Sequence, residues 1–252
     1  MTPLFDLTGR VAIVTGSTRG IGLAIARALQ GHGANVVISS EDAVDSQRVG
    51  EQLNTLAIAA DVADDAQLDA LVDGTMAHFG RLDILVCNAG ITGRAGPFAT
   101  IDMADYDRVM AINLRSQVRV CNLALPHIAA TGGGAAVLIA SLSGLRGNGA
   151  INAYALAKAG VAQLARNLAV EWGPRNVRVN ALSPGLIRTE LSAPLLADDA
   201  FMARRMQMTP LRRPGEMEEV AGSALFLASP AGAYVTGHNL VVDGGTLITD
   251  GS

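Results

Sequence analysis

Lysine occurs once in this chain, at Lys158, although nineteen of the 252 residues are lysine or arginine. Aromatic residues are also scarce, at 4%. There are two cysteines, Cys87 and Cys121, without metal-ligand spacing. Cys87 ends an apolar run and Cys121 lies in a helical one, so both read as buried thiols of a reducing compartment. No apolar run approaches the roughly 18 residues that a membrane helix needs. The stretch from Met1 to Arg10 holds Asp6 and no apolar core, so no signal peptide is expected there. No basic tract is present and the formal net charge is -4, which argues against nucleic acid or an anionic membrane surface as a partner. His32, His78, His127 and His238 are scattered and form no H-x-x-x-H pair, so no metal site is expected. The expectation is a soluble, cytoplasmic protein.

Half of the residues are hydrophobic, which allows a large core. Val11 to Val14 is a short apolar run that reads as a strand buried on both faces. It leads into Thr15-Gly16-Ser17-Thr18-Arg19-Gly20-Ile21-Gly22 and a helical pattern through Leu29. A strand, a glycine turn and a helix in that order make a phosphate site. The glycines let the backbone approach a pyrophosphate, and the helix N-terminus offers unpaired N–H groups. Further strands are expected at Asn35 to Ser40, Ala57 to Ala60, Leu82 to Cys87, Ala135 to Ala140, Val177 to Leu182 and Asn239 to Val242. Helices are expected between them: one with Glu41 in its first turn, then 67–79, 103–130 with Asn113 inside, and one through Lys158 to Trp172, stopped by Gly173-Pro174. This alternation predicts a single α/β domain: a doubly wound, Rossmann-like parallel sheet of about seven strands with helices on both faces. Ligands of such sheets bind beyond the carboxyl ends of the strands. Gly16, Ser40, Asp61, Asn88, Ser141 and Pro184 all fall there. The interval 186–213 has no clear register and reads as a substrate lid.

The lone lysine follows Tyr154 by four residues, so on a helix the two share a face. A nearby cation favours the phenolate and lowers a tyrosine pKa, which makes the phenol usable for proton transfer. Taken singly, each signal has a bland alternative. Ser141 could be a strand-end turn residue, Asn113 a helix kink, and Asp61 or Thr189 a helix cap.

Taken in order, these motifs resemble the short-chain dehydrogenase/reductase family over nearly the whole chain. Residues 15–22 are similar to its TGxxxGIG turn. Cys87-Asn88-Ala89-Gly90 resembles its NNAG segment, with cysteine for the first asparagine. Asn113, Ser141, Tyr154 and Lys158 fall at its catalytic tetrad. The resemblance implies an oxidoreductase interconverting a secondary alcohol and a ketone with a nicotinamide cofactor. Tyr154 would be the proton donor and acceptor, and Lys158 would lower its pKa and hold the nicotinamide ribose. Ser141 would bond the substrate oxygen, and Asn113 would anchor a relay water. The implied cofactor site comprises Gly16, Ser17, Arg19, Gly20, Ile21, Gly22, Ser40, Glu41, Asp61, Val62, Asn88, Ala89, Gly90, Tyr154, Lys158, Pro184, Gly185, Ile187 and Thr189. The resemblance also implies a homotetramer, with a dimer as the alternative.

Glu41 would repel a 2′-phosphate and could accept bonds from a free ribose, which favours NAD over NADP. Arg19 pulls the other way, as a cation able to hold that phosphate. Two rival functions remain at this point. One is an NADPH-dependent 3-oxoacyl-thioester reductase; the other is a non-catalytic nucleotide-binding protein on the same fold. Thr92, Arg94, Ser143, Asn148, Ile151, Leu186 and Met206 flank the catalytic segments as candidate pocket residues.

Overall fold

The computed structural model describes residues 3–249. Met1 and Thr2, where the stretch considered for a signal peptide begins, lie outside the described residues. Six parallel strands form one sheet in the order β2-β1-β3-β4-β5-β6. They are β1 (Val11–Thr15), β2 (Asn35–Ser39), β3 (Ile84–Cys87), β4 (Gly134–Ile139), β5 (Val177–Pro184) and β6 (Asn239–Val242). Between them run α1 (Gly20–Gly31), α2 (Ala43–Leu53), α3 (Asp65–Phe79), α4 (Met103–Met110), α5 (Ser116–Ala130), α6 (Ala153–Trp172), α7 (Ala193–Leu196), α8 (Asp199–Gln207) and α9 (Met217–Ala228).

The strands alternate their side chains between two apolar layers. Ile13, Leu85, Ala136 and Val179 face one layer with α3, α5 and α6. Ala12, Val14, Val86 and Val137 face the other with α1 and α9. Alanine-rich α6 packs tightly on its layer, burying Ala157, Ala162, Ala165 and Ala169. Most helices start on a side-chain cap. Asp42, Asp64, Asp102 and Asp198 each accept an N–H from the first turn of α2, α3, α4 and α8, which satisfies donors that would otherwise lack partners. Among the described residues, no helix is long and apolar enough to cross a membrane.

Three expectations need correction. The expected strand at 57–60 is a single bridge, Ile38 to Ala57, so the sheet has six strands and not seven. This segment bonds to β2 through Ile58 N–H on Ile38 O and Ala60 N–H on Ser40 O. The ladder fails at Ser40 N–H, which donates to the Ser46 hydroxyl at 3.1 Å. Glu41, expected in the first turn of a helix, precedes α2 because the Asp42 carboxylate takes the Asp45 N–H and sets the helix start. The helix expected over 103–130 is interrupted at Ala111–Arg115 by a π-turn, a feature that recurs at functional sites. Asn113 sits in that turn.

The edge opposite the strand C-termini is held by Asp83. Its side chain is 1% exposed and pairs with Arg10 at 2.8 Å and Arg81 at 2.7 Å, and it also accepts the Val11 N–H at 2.9 Å. Burial works to raise this carboxyl, but Arg81, Val11 and Arg10 outweigh it and hold its pKa below the ordinary value. An Asp83→Ala substitution removes the acceptor of the Val11 N–H and of two half-exposed guanidiniums and should cost about 1–3 kcal/mol. A depressed carboxylate pKa stabilises above the unfolded pKa and ceases to do so as pH falls through the folded one. The difference between parent and variant in urea denaturation should therefore shrink below about pH 4.

Candidate active site

Because all six strands run the same way, their C-terminal ends share one edge. The chain leaves β1 toward β2 on one side and returns to β3 on the other, so a crevice opens between β1 and β3. Here two backbones nearly touch. A β-carbon on Gly16 (φ +63°) would stand 2.9 Å from the Ala89 Cα, and one on Gly22 would run into the Gly16 carbonyl and Asn88. Asn88 fastens the contact. Its Nδ2 donates to Thr15 O at 3.1 Å and Gly16 O at 2.9 Å, while the Thr15 hydroxyl accepts the N–H groups of Asn88 and Ala89. Ser17 is fully buried and ties the same turn to β2, donating its N–H to Ser39 O and accepting the Ser39 N–H.

The start of α1 differs from its neighbours. Its N-cap is Arg19, with no capping side chain, and no acidic residue lies in the first turn. The first N–H groups of the helix, at Gly20, Ile21 and Gly22, are thus free for an anion. Gly20 (φ +57°) has open space where a side chain would be. These features fit the diphosphate of a dinucleotide.

Past β2, Ser40 is buried, with its hydroxyl near Ser46 and the Asp42 N–H. It faces into the protein and is poorly placed to meet a ligand. Glu41 and Arg19 are the exposed pair, 66% and 68% open, with Nη2 and Oε1 4.0 Å apart. Ala60 N–H on Ser40 O brings Asp61 and the buried Val62 alongside. One Asp61 oxygen accepts the Ala63 N–H at 2.9 Å; the cap of α3 is Asp64 and not Asp61.

The tetrad candidates lie beyond β3 and β4. Asn113 is fully buried. Its amide donates to Ile91 O at 2.8 Å and Val109 O at 3.0 Å and accepts the Ile91 N–H at 3.2 Å, so it clips the loop after β3 to the π-turn. Gly90 lies between Asn113 and Lys158. A β-carbon there would stand 2.6 Å from Asn113 Oδ1 and 3.5 Å from Lys158 Nζ. Ser141 lies two residues past β4 and caps the short turn Leu142–Gly144, accepting the Ser143 N–H at 3.1 Å. Tyr154 and Lys158 project from the first two turns of α6. Asn152 caps that helix and donates to Arg94 O and Gly96 O, fixing the loop against it.

The electrostatics depart from the expectation that Lys158 lowers the Tyr154 pKa. Lys158 is 3% exposed, its Nζ donates to Ile139 O at 2.7 Å, and it stands 5.6 Å from the Tyr154 ring centroid. Burial pushes the Tyr154 phenol above its ordinary value, and a bond with Ser141 offsets this only in part. Burial also pushes the Lys158 ammonium down to about 8, with Cys87 working weakly the other way. Desolvation therefore dominates both groups in the protein alone. Cys87 and Cys121 are free and buried, and burial and the Cys121 contact hold the Cys87 thiol well above its usual range.

Farther along the edge, Gly185 lies against Asp243, where a β-carbon would stand 2.7 Å from the Asp243 Cα. Ile187 is buried. Thr189 forms a tight turn with Ser192 ahead of α7, so it is no helix cap. Sequence reasoning missed Asn152, whose amide ties the loop at Arg94 and Gly96 to the start of α6.

Fold and crevice define an α/β enzyme built to hold a dinucleotide. A family model described as enoyl-(acyl carrier protein) reductase matches residues 16–246. A cis-4-hydroxycyclohexanecarboxylate dehydrogenase of Sinomonas cyclohexanicum is 43% identical, covering 94% of this chain and 96% of that one. A crystal structure of a Burkholderia cenocepacia gluconate 5-dehydrogenase with NADP and tartrate superposes with a TM-score of 0.94 at 35% identity, covering 97% of this chain and 98% of that one. A 7α-hydroxysteroid dehydrogenase complexed with NADH and 7-oxo glycochenodeoxycholic acid gives 0.90 at 36% identity, covering 96% and 95%. The chain belongs to the short-chain dehydrogenase/reductase family. It is an NAD(P)-dependent oxidoreductase that interconverts a secondary alcohol and a ketone, and the non-catalytic alternative falls away.

A buried lysine with a depressed pKa opposes folding below that pKa. The folded state takes up fewer protons than the unfolded one between about pH 8 and the ordinary lysine value, so this opposition fades as pH rises through that window. Relative to a Lys158→Met variant, the parent protein should therefore gain up to about 3 kcal/mol between pH 7 and pH 10.5. Paired urea denaturation curves measure it, and a pH-independent difference would refute the burial of a charged Lys158.

Proposed function

We propose that this enzyme works with NAD(H), and that Tyr154, Ser141, Lys158 and Asn113 carry the proton side of its reaction. The cofactor preference rests on Glu41, an exposed carboxylate two residues past β2. In doubly wound folds an acidic group at this place accepts bonds from ribose hydroxyls, and it repels a 2′-phosphate. When bound, the nicotinamide supplies or accepts the hydride.

The remaining tasks fall to this chain. The N–H groups of Gly20, Ile21 and Gly22 hold the diphosphate, on a turn kept in shape by Gly16, Ser17 and Asn88. Asp61 offers its unused oxygen to the adenine amine, with Val62 beside it. Ala89 and Gly90 give backbone close passage, and Lys158 holds the nicotinamide ribose. Pro184, Gly185, Ile187 and Thr189 flank the carboxamide. Tyr154, kept protonated by burial, gives its proton to the carbonyl oxygen in reduction and retrieves it in oxidation. Ser141 bonds the same oxygen as its charge develops. Asn113 fixes the loop at Gly90 and anchors the relay toward Lys158. Residues 186–213, with α7 and α8, close over the substrate as a lid. The enzyme works in the cytoplasm as a homotetramer. Leu156 and Val170 are exposed on α6 and Val118 on α5, which supports packing of these helices against a second copy.

An NADPH-linked 3-oxoacyl-thioester reductase is the second reading, favoured by Arg19. An exposed ion pair at 4.0 Å is worth little, so this guanidinium is free to turn toward a phosphate.

Titration with NADH and NADPH, followed by nicotinamide fluorescence, decides between them. NADH should bind roughly 10- to 100-fold tighter, and Glu41→Ala should close most of that gap. Tighter NADPH binding would put Arg19 in control and make the second reading the better one. Tyr154→Phe should bind cofactor but lose about 10²- to 10⁴-fold in kcat; unchanged turnover removes Tyr154 as the acid.

A further inference from the structure

The buried face of α5 carries one polar side chain that an apolar residue would replace at lower cost. Gln117 is 2% exposed and shares that face with Cys121, Ala124 and Ile128, which are fully buried. A buried amide is costly unless both of its ends are bonded. Gln117 Nε2 donates to Asn113 O at 3.1 Å. Among the described residues no donor meets Gln117 Oε1, although that oxygen is buried. Turning the amide over would set Oε1 against the Asn113 carbonyl, acceptor on acceptor, so its orientation is fixed.

This bond ties Gln117 to the π-turn at Ala111–Arg115, where the backbone ladder slips by one residue and Ser116 N–H donates to Ala111 O. Side chains meet the carbonyls around the slip. Asn113 Nδ2 donates to Val109 O at 3.0 Å, the Ser116 hydroxyl to Ile112 O at 2.6 Å, and Gln117 to Asn113 O. The Asn113 side chain is itself a clip, with its N–H groups on Ile91 O and Val109 O and its oxygen on the Ile91 N–H. The water of the relay is thus left to the Asn113 backbone carbonyl. Gln117 Oε1 stands beside that carbonyl, because both ends of one amide sit on one carbon. The same segment lies along the helix of Lys158. A β-carbon on Gly160 would stand 2.8 Å from Leu114 Cδ2, and one on Gly90 would stand 2.6 Å from Asn113 Oδ1 and 3.5 Å from Lys158 Nζ. Lys158 Nζ donates to Ile139 O and has further N–H groups to offer.

We propose that Gln117 is a positioning residue of the proton relay: its Nε2 fixes the Asn113 carbonyl, and its Oε1 joins that carbonyl in holding the relay water. A relay water must turn as it accepts one proton and passes on another. Two acceptors side by side keep it in place through that turn, since one of its protons always finds an oxygen while a lone pair stays open to Lys158 Nζ. Gln117 touches neither substrate nor cofactor and acts only through the carbonyl and the water. This inference rests on the proposed proton path through Tyr154, Lys158 and Asn113.

A crystal structure of the cofactor complex, at a resolution that shows ordered waters, reads the site directly. A water should lie within about 3 Å of both Gln117 Oε1 and Asn113 O. A dry Oε1, or a protein donor on it, overturns the proposal. Kinetics read the role. The parent and Gln117→Met, which has a similar volume and no amide, are compared in the reduction of diacetyl, cyclohexanone and 4-oxocyclohexanecarboxylate, with whichever of NADH and NADPH binds tighter. For the ketone turned over fastest, kcat should fall about 10- to 100-fold in the variant while KM values change less than about twofold. The solvent deuterium isotope effect on kcat should rise, as proton transfer comes to limit turnover. An unchanged kcat overturns the proposal. So does a fall in kcat with an unaltered isotope effect, which loosened packing alone would give. If Gln117→Met fails to bind cofactor, or the parent reduces none of the ketones, the crystal structure decides alone. Retained turnover in Tyr154→Phe would sink the proton path while leaving the water at Gln117 in place, so the two failures are distinguishable.

Discussion

The backbone contact between the glycine turn after β1 and the segment after β3 is the constraint on which the rest depends. A β-carbon on Gly16 would collide with Ala89, and one on Gly22 with the Gly16 carbonyl and Asn88. Thr15 and Asn88 spend their hydrogen bonds holding that contact shut. The result is a turn whose next N–H groups are unpaired and point outward. Asn88 thus acts chiefly as a brace. The same logic runs through Ser17 and Asn113, polar side chains that are fully buried because they tie one loop to another. Such internal ties keep loops at the sheet edge in one arrangement, as a site on loops requires.

Burial sets the chemistry of the other half of the crevice. Lys158 and Tyr154 are desolvated together, and each is pushed toward its neutral form. A protein selected only for stability would not bury the one lysine it has. Its cost to folding and its place beside Tyr154 have the same origin, a low-dielectric pocket that strengthens interactions with whatever charge enters it. Cys87, which stands at the start of the NNAG-like segment, contributes a neutral thiol to the wall of that pocket, so the substitution does not add a charge.

Much of the fold was legible in sequence because buried parallel strands and amphipathic helices leave strong periodic signals. Where the reading failed, a single side chain had redirected the backbone. The Ser46 hydroxyl took the N–H that a seventh strand needed, and Asp42 capped α2 so that it starts two residues past Glu41. The π-turn at Asn113 left no periodic trace, since one extra residue in a helix barely changes its apolar face. The direction of the Tyr154 shift was also misread, because spacing on a helix reports proximity and says nothing about desolvation.

By itself, then, the sequence determined the doubly wound architecture, the glycine turn, and Tyr154 and Lys158 as neighbours on one helix face. These follow from local periodicity and short-range spacing, which a chain carries wherever it is read. Only the tertiary structure decided which polar side chains face a ligand and which brace the loops. It also decided how burial moves the Lys158 and Tyr154 protons. Those outcomes depend on through-space contact and on exclusion of water, and neither exists until the helices pack on the sheet.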